Sequence, residues 1–229
     1  MTNILLVTSS PRGGASYSNR VAARLVEELH RVHAGARLVV RDLAKTPLRH
    51  IDEQFAAGRS ASTDEAPPDR RHSLALSEAL IDELLAADIV VIAIAMINFG
   101  IPSPLKAWID HIARPRRTFQ YGESGPQGLV TGKQVILVEA KGGIYSEGPR
   151  REFDHVTPYM LQLLAFLGME DVKVISVEGT SLGAEVADAA LETGFQQAVE
   201  IAHELASDTE APLVPAAQDE GGPHALVSF

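Results

Sequence analysis

The amino-acid sequence predicts an α/β fold in which a doubly wound, five-stranded parallel sheet forms the middle of three layers. Five short aliphatic segments are apolar at successive positions, which is typical of strands covered on both faces of a parallel sheet. Segments with apolar residues at helical spacing alternate with these strands, and the alternation favours right-handed β-α-β units. The strand order that follows most naturally is 2-1-3-4-5.

Each element has its own signal. The predicted strands cover residues 4–7, 38–40, 89–94, 134–138 and 172–177, and the strongest is the third, Ile-Val-Val-Ile-Ala-Ile. The predicted helices cover residues 18–33, 73–87, 102–113, 155–167 and 184–206. The third helix shows the pattern clearly, because Leu105, Trp108, Ile109 and Ile112 fall at i, i+3, i+4 and i+7 and so form one apolar face.

Two connections, residues 42–72 and 114–132, are long and rich in proline, glycine and charge. Long loops inside a compact domain are usually functional or mobile. The chain length suits one domain, which we expect to span residues 1–208. Residues 209–229 contain three prolines and no helical periodicity, so we expect a poorly ordered tail.

The composition excludes several classes of function. The formal net charge of −10 argues against nucleic acid as a partner, because such binding requires clustered Lys and Arg. Cysteine is absent, which excludes disulfides and thiolate metal ligands, and the histidines show no metal-site spacing. Neither a signal peptide nor an apolar stretch of ~20 residues is visible, so we expect a cytoplasmic protein with no membrane segment.

A turn rich in serine and glycine follows the first strand and leads into the first helix. A helix N-terminus offers free backbone N–H groups and a partial positive charge, and Ser10, Ser16 and Ser18 add hydroxyl donors. The sequence has neither GxxxxGK[ST] nor GxGxxG at this turn, which argues against a nucleoside triphosphatase and against a dinucleotide-binding fold. The turn is therefore a cradle for a phosphate held largely by neutral donors, or a serine-rich capped loop without a ligand.

The loops after strands 1, 3 and 4 should converge, because ligands of such sheets bind at the carboxyl ends of strands near the switch in strand order. After strand 3, the amide of Asn98 stands among Met96, Ile97 and Phe99, a combination that suits a flat heteroaromatic ring. After strand 4, Gly142-Gly143 would let backbone N–H groups approach a ligand closely. An ordinary helix entry and an ordinary turn are the alternatives.

The chain resembles the FMN-dependent NADH-azoreductases and quinone reductases of the flavodoxin-like superfamily. The resemblance runs in order over about residues 3–206. The residues that carry it are Ser9-Ser10, Ser16-Tyr17-Ser18-Asn19, Met96-Ile97-Asn98-Phe99, Pro104-Leu105-Lys106, Asp110, Thr118-Phe119, Tyr121, Gly125-Pro126, Gly128-Leu129, Gly132-Lys133, Gly142-Gly143, Thr157-Pro158-Tyr159 and Glu178-Gly179.

The resemblance implies one noncovalent FMN per subunit of a homodimer, with the flavins at the subunit interface. It implies a ping-pong reaction in which NADH or NADPH reduces the flavin and a quinone or azo compound reoxidises it. The implied cofactor residues are Ser10, Ser16, Tyr17 and Ser18 at the phosphate, Met96, Ile97, Asn98 and Phe99 along the ring and ribityl chain, and Ala140, Lys141, Gly142 and Gly143 at the polar edge of the ring.

The chain departs from the family pattern at three places. Ile97 stands where the family usually has Tyr, and Ala140-Lys141 stands where it usually has Ser-Arg. Pro115-Arg116-Arg117 replaces the usual Ala-Gly-Val. These changes concern substrate range and nicotinamide preference more than FMN binding.

Two further hypotheses concern substrates. Tyr121 and Tyr145 are candidates for substrate contacts, because both are expected on loops at the carboxyl edge of the sheet. Arg114, Arg116 and Arg117 form a basic cluster that could attract the phosphates of the nicotinamide cofactor, or could be a mobile charged loop.

Two other functions remain open at this point. A flavodoxin-type electron carrier would bind FMN without turning over small molecules. A regulatory α/β domain would bind no flavin at all.

Overall fold

A five-stranded parallel sheet flanked by helices makes up most of the computed structural model, which describes residues 1–59, 68–123 and 125–210. The strands are β1 Asn3–Thr8, β2 Arg37–Asp42, β3 Ile89–Ala95, β4 Phe119–Gly122, β5 Gly125–Gly128, β6 Gln134–Ala140 and β7 Asp171–Val177. The α-helices are α1 Tyr17–Val32, α2 Glu53–Gly58, α3 Pro68–Ala86, α4 Ser103–Ile112, α5 Thr157–Leu167 and α6 Ala184–Glu210. Two 3₁₀ turns cover Gly13–Ala15 and Gly148–Phe153.

The strand order is β2-β1-β3-β6-β7, with all four pairs parallel. This confirms the predicted order, since β4 and β5 form a separate antiparallel hairpin and drop out of the count. Thr8 pairs with Ala93, Ala95 with Ala140, and Ala140 with Val177. The register therefore places the carboxyl ends of β1, β3, β6 and β7 side by side.

Buried residues alternate between the two faces of the sheet. Along β1, Ile4 and Leu6 belong to an apolar cluster with α1 and α6, whereas Leu5 and Val7 belong to a second cluster with α3, α4 and α5. Strands β3 and β6 divide their residues in the same way. Burying one large aliphatic side chain contributes about 1.5–3 kcal/mol, so two apolar faces hold the strand ends rigidly.

Two structured segments lie inside the long predicted loops. The β4–β5 hairpin was not predicted, because its strands have only four residues each and contain three glycines and a proline. Helix α2 begins where the Asp52 carboxylate accepts a hydrogen bond from the N–H of Phe55 at 2.8 Å.

Two helices are longer than predicted. Helix α3 begins at Pro68 rather than at residue 73, and helix α6 continues to Glu210, so residues 209 and 210 of the predicted tail are helical. Residues 211–229, where the rest of that tail was predicted, lie outside the described residues.

Candidate active site

A cavity of about 210 Å³ opens at the carboxyl edge of the sheet, between the ends of β1, β3, β6 and β7. It brings together the three loops that the sequence predicted to converge, and adds a fourth, after β7, that was not predicted. The lining residues are Ser10, Pro11, Arg12, Ser16, Tyr17, Ala95, Met96, Ile97, Ala140, Gly142, Thr180 and Ser181.

The N-terminus of α1 offers unpaired hydrogen-bond donors to this cavity. Ser16 occupies the N-cap position without a side-chain cap hydrogen bond, and its Oγ lies 3.1 Å from the Oγ of Ser18. Among the described residues, no acceptor meets the backbone N–H of Tyr17, Ser18 or Asn19. Buried donors without partners are costly, and at a helix N-terminus they favour an anion. The turn is thus built as an anion cradle.

Arg12 adds a cation that the sequence prediction of neutral donors missed. Its guanidinium carbon lies 5.7 Å from the centre of the Tyr17 ring, within the range of a cation–π contact. Arg12 also lines the cavity, while Ser10 and Ser16 are buried. An arginine inside the serine turn was the signal in the sequence that could have identified it.

The second loop is a tight turn that exposes its side chains. Ile97 and Gly100 exchange backbone hydrogen bonds at 3.0 and 3.1 Å, which forces Asn98 and Phe99 into the left-handed region at φ 49° and 69°. Non-glycine residues in that region carry strain and cluster at functional sites. Ile97 and Asn98 also line a neighbouring cavity of about 590 Å³, which shares Pro11 and Ile97 with the first.

Aromatic rings flank this turn at the rim of the site. The Phe99 ring lies 5.6 Å from that of Phe153 and 6.5 Å from that of Tyr145, centre to centre. Tyr145 follows the glycine loop, so the structure places it at the carboxyl edge as the sequence suggested.

The third loop contributes backbone rather than side chains. A Cβ on Gly142 would lie 2.9 Å from the Oγ of Ser181, so a side chain would crowd the wall of the cavity. The N–H groups of Gly142 and Gly143 have no partner within the part of the chain that the structure describes. Two free N–H groups beside apolar Met96 can hold the polar edge of a flat ring.

The Lys141 side chain does not line the cavity, although Ala140 and Gly142 on either side of it do. It is 3% exposed, and its Nζ lies 2.7 Å from Asp154 Oδ2, 2.9 Å from Glu139 Oε2 and 2.9 Å from Thr157 Oγ1. Its backbone N–H donates to the carbonyl of Val177 at 2.9 Å. Sequence reasoning did not identify Glu139 or Asp154.

Electrostatic attraction stabilises the charged forms of Lys141 and Asp154. Burial by itself lowers the pKa of Lys141, but the attraction of Glu139 and hydrogen bonds to Asp154 and Glu139 raise that pKa above 10.5. Burial by itself raises the pKa of Asp154, but hydrogen bonds from Lys141 and the Val156 N–H bring it below 3.8. The stabilisation from Asp154 is therefore present above pH ~4 and is lost as the pH falls below its folded-state pKa. That from Lys141 is lost only as the pH rises through a pKa above 10.5.

The prediction that Tyr121 lies at the carboxyl edge is wrong. Tyr121 lies on the β4–β5 hairpin, 74% exposed, and its ring stacks edge-on against Phe119. Phe119 packs against Phe166 at the end of α5 that points away from the cavity. Because α5 runs back along the sheet over 11 residues, about 16 Å of helix separates this hairpin from the site in the same chain.

The structure also overturns the basic-cluster hypothesis for two of its three arginines. Arg114 is fully buried, and its NH1 lies 2.7 Å from Glu78 Oε1. Arg117 pairs with Glu78 at 2.7 Å and with Asp82 at 3.1 Å. Both guanidiniums therefore join the C-terminal side of α4 to α3, with their charge compensated. Only Arg116 of the three is exposed.

A larger open groove, of about 1030 Å³, lies at the opposite edge of the sheet. It runs between the hairpin, the end of α5 and the starts of β6 and β7. None of the predicted cofactor residues lines it.

The described residues contain no cluster of three metal-ligating side chains. No helix in that same part of the chain is both long enough and apolar enough to cross a bilayer.

Comparison with known proteins agrees with this geometry. The model of the flavodoxin-like fold matches residues 2–202. An FMN-dependent NADH:quinone oxidoreductase of Mesorhizobium japonicum is 51% identical over 82% of this chain and 90% of its own length. The chain belongs to the FMN-dependent NADH:quinone oxidoreductase family. A second member, oxidoreductase 1 of Burkholderia lata, is 47% identical over 86% of this chain and 96% of its own.

A solved structure extends the family likeness to the backbone. The crystal structure of an azoreductase from Bacillus anthracis superposes with a TM-score of 0.82 at 26% identity, covering 89% of this chain and 100% of the other. This chain and that azoreductase therefore share the same overall backbone fold.

Proposed function

We propose that this protein is an FMN-dependent oxidoreductase that passes two electrons from NADH or NADPH to quinones and azo compounds. The observation that carries the proposal is the uncapped N-terminus of α1, where three backbone N–H groups have no partner among the described residues and stand beside the buried serine hydroxyls. Such a donor set fits the phosphate of FMN. The names of the relatives support the same cofactor and the quinone substrate.

Residues of three of the four loops would hold FMN. Ser10, Ser16, Tyr17 and Ser18 would bind the phosphate, with Arg12 as an added cation. Met96, Ile97, Asn98 and Phe99 would flank the ring and ribityl chain, and the N–H groups of Gly142 and Gly143 would bind the polar edge of the ring. When bound, FMN supplies the redox chemistry.

The scaffold keeps these loops at a constant spacing. We propose that the sheet is the middle of three layers, a view that its two separate apolar clusters support. Tyr145, half-buried beside Phe99, remains the candidate for a substrate contact.

Anaerobic spectroscopy tests the function directly. The purified protein is reconstituted with FMN and the unbound FMN is removed. Its flavin absorbance should be bleached by NADH or NADPH without any added reductase. Addition of a quinone should then restore the absorbance. Reduction that needs a separate reductase would instead indicate an electron carrier. A protein that retains no FMN would contradict the proposal altogether.

We also propose that the chain forms a homodimer. Large apolar side chains lie exposed around the carboxyl edge, and exposed apolar patches of this kind mark protein interfaces. They are Ile97, Phe99, Ile144, Phe153, Leu182 and Val186. Sedimentation equilibrium should give twice the 24.6 kDa chain mass, and a mass of one chain at micromolar concentration would refute the dimer.

A further inference from the structure

We propose that Lys141 is a positioning residue for FMN, whose buried ammonium ties three chain segments to the glycine loop and sets the charge behind that loop. The inference rests on the proposed function, because it concerns how this chain binds FMN and tunes its potential. It assigns a role to a side chain that does not itself line the cavity.

The ammonium joins carboxylates from three parts of the fold. Glu139 comes from the end of β6 at 2.9 Å, Asp154 from the segment before α5 at 2.7 Å, and Glu178 from the segment after β7 at 3.9 Å. No other cationic side chain of the described residues lies within ion-pair distance of these three. Backbone hydrogen bonds already join the ends of β6 and β7, since the Lys141 N–H donates to Val177 and the Gly179 N–H donates to Gly143. What the ammonium adds is an ion pair from both of these ends to the segment before α5.

The carboxylates then reach both sides of the glycine loop. Glu178 accepts hydrogen bonds from the Tyr145 N–H at 3.1 Å and the Ser146 hydroxyl at 2.6 Å. Asp154 accepts from the N–H groups of Val156 and Thr157 at the start of α5. Residues 140–146 are therefore anchored to one cluster at both ends. Together with the backbone hydrogen bonds from Ser181 and Gly179 to the carbonyls of Gly142 and Gly143, this anchoring orients the free N–H groups of the two glycines.

The cluster also carries more negative than positive charge, because one ammonium faces three carboxylates. Arg150 lies against the glycine loop, with its NH1 3.0 Å from where a Cβ of Gly143 would stand, but outside ion-pair distance of these carboxylates. Oxygen Oε1 of Glu139 is buried and has no hydrogen-bond partner among the described residues. Charges act over longer distances in a buried environment than in water. Negative charge behind the loop disfavours the addition of electrons to FMN, so each carboxylate of the cluster lowers the two-electron midpoint potential of bound FMN and the ammonium raises it.

Three variants separate position from charge. K141M removes the ammonium, K141R keeps the charge, and E139Q removes one carboxylate at nearly constant shape. K106M, which removes a lysine paired with Asp110 on the exposed face of α4, is the matched control. The readouts are the FMN dissociation constant of the apoprotein and the midpoint potential of the bound FMN.

We expect the FMN dissociation constant of K141M to rise roughly ten- to a hundredfold, the size of loss seen when the outer partners of metal ligands are removed. Its midpoint potential should shift to more negative values, whereas that of E139Q should shift to more positive values. K141R should recover both properties in large part, and K106M should match the wild type in both.

Opposite shifts are the decisive result, because a loop that is merely disordered would move both potentials in one direction. Shifts of the same sign, or a K141M variant with wild-type affinity and potential, would overturn the inference. Should K141M not fold, as far-UV circular dichroism would show, the sign of the E139Q shift decides alone. A wild-type chain that binds no FMN would instead refute the proposed function, before any variant is compared.

Discussion

Replacing Ser16 with aspartate should abolish FMN retention without destabilising the apoprotein. Ser16 has N-cap backbone angles, φ −76° and ψ 130°, and its hydroxyl makes no cap hydrogen bond. Aspartate is among the best N-cap residues, so its carboxylate can accept from the free N–H groups of Ser18 and Asn19. The same carboxylate would place a negative charge inside the cradle that we assign to the phosphate.

The expected loss of affinity is large. Two like charges ~4 Å apart repel by about 4 kcal/mol at an effective dielectric constant of about 20. This corresponds to roughly a thousandfold weaker binding. S16N is the matched control, because asparagine caps the helix equally well and brings no charge.

Fluorescence titration of each apoprotein with FMN, together with its thermal midpoint without FMN, makes the comparison. S16D should lose affinity while its midpoint equals or exceeds that of the wild type. Equal FMN affinity in S16D and S16N would place the phosphate elsewhere.

The sheet order and the converging loops could be predicted because their signals are local. The apolar run of β3 and the helical spacing in α4 are each readable within a dozen residues. Once the strand order is known, the switch in strand order places the loops of Ser10, Asn98 and Gly142 at one edge. The site followed from the topology rather than from any single motif.

The errors concern contacts between residues distant in sequence. Arg114 looked like a free cation because its partner Glu78 lies 36 residues earlier on another helix. The direction of the Lys141 side chain could not be read from the sequence either, because two of its ion partners, Asp154 and Glu178, lie in other segments. Tyr121 was misplaced because a hairpin of four-residue strands has too weak a pattern to reveal where it turns. The local periodicity of a sequence carries no information about contacts between residues that lie far apart along the chain.

Replacing Gly128 with alanine should unfold the protein at a much lower denaturant concentration. A Cβ at Gly128 would lie 2.1 Å from the backbone N of Gly168 and 2.3 Å from the carbonyl carbon of Leu167. Gly168 ends α5 in the left-handed region at φ 99°, and the Val130 N–H bonds the Leu167 carbonyl at 2.9 Å. The clash is between two backbones, so no rotation of a side chain can relieve it.

We expect a loss of at least about 3 kcal/mol in the free energy of unfolding, at the upper end for overpacking. G122A is the control on the same hairpin, because its Cβ would meet only the Gly125 carbonyl oxygen, at 3.8 Å. Urea unfolding followed by circular dichroism should give a lower midpoint for G128A alone, with the slope unchanged. Similar midpoints for the two variants would mean that the hairpin can move off α5. If the clash instead acts on α5, the FMN dissociation constant of G128A should change as well, because α5 carries Thr157 of the Lys141 cluster at its other end.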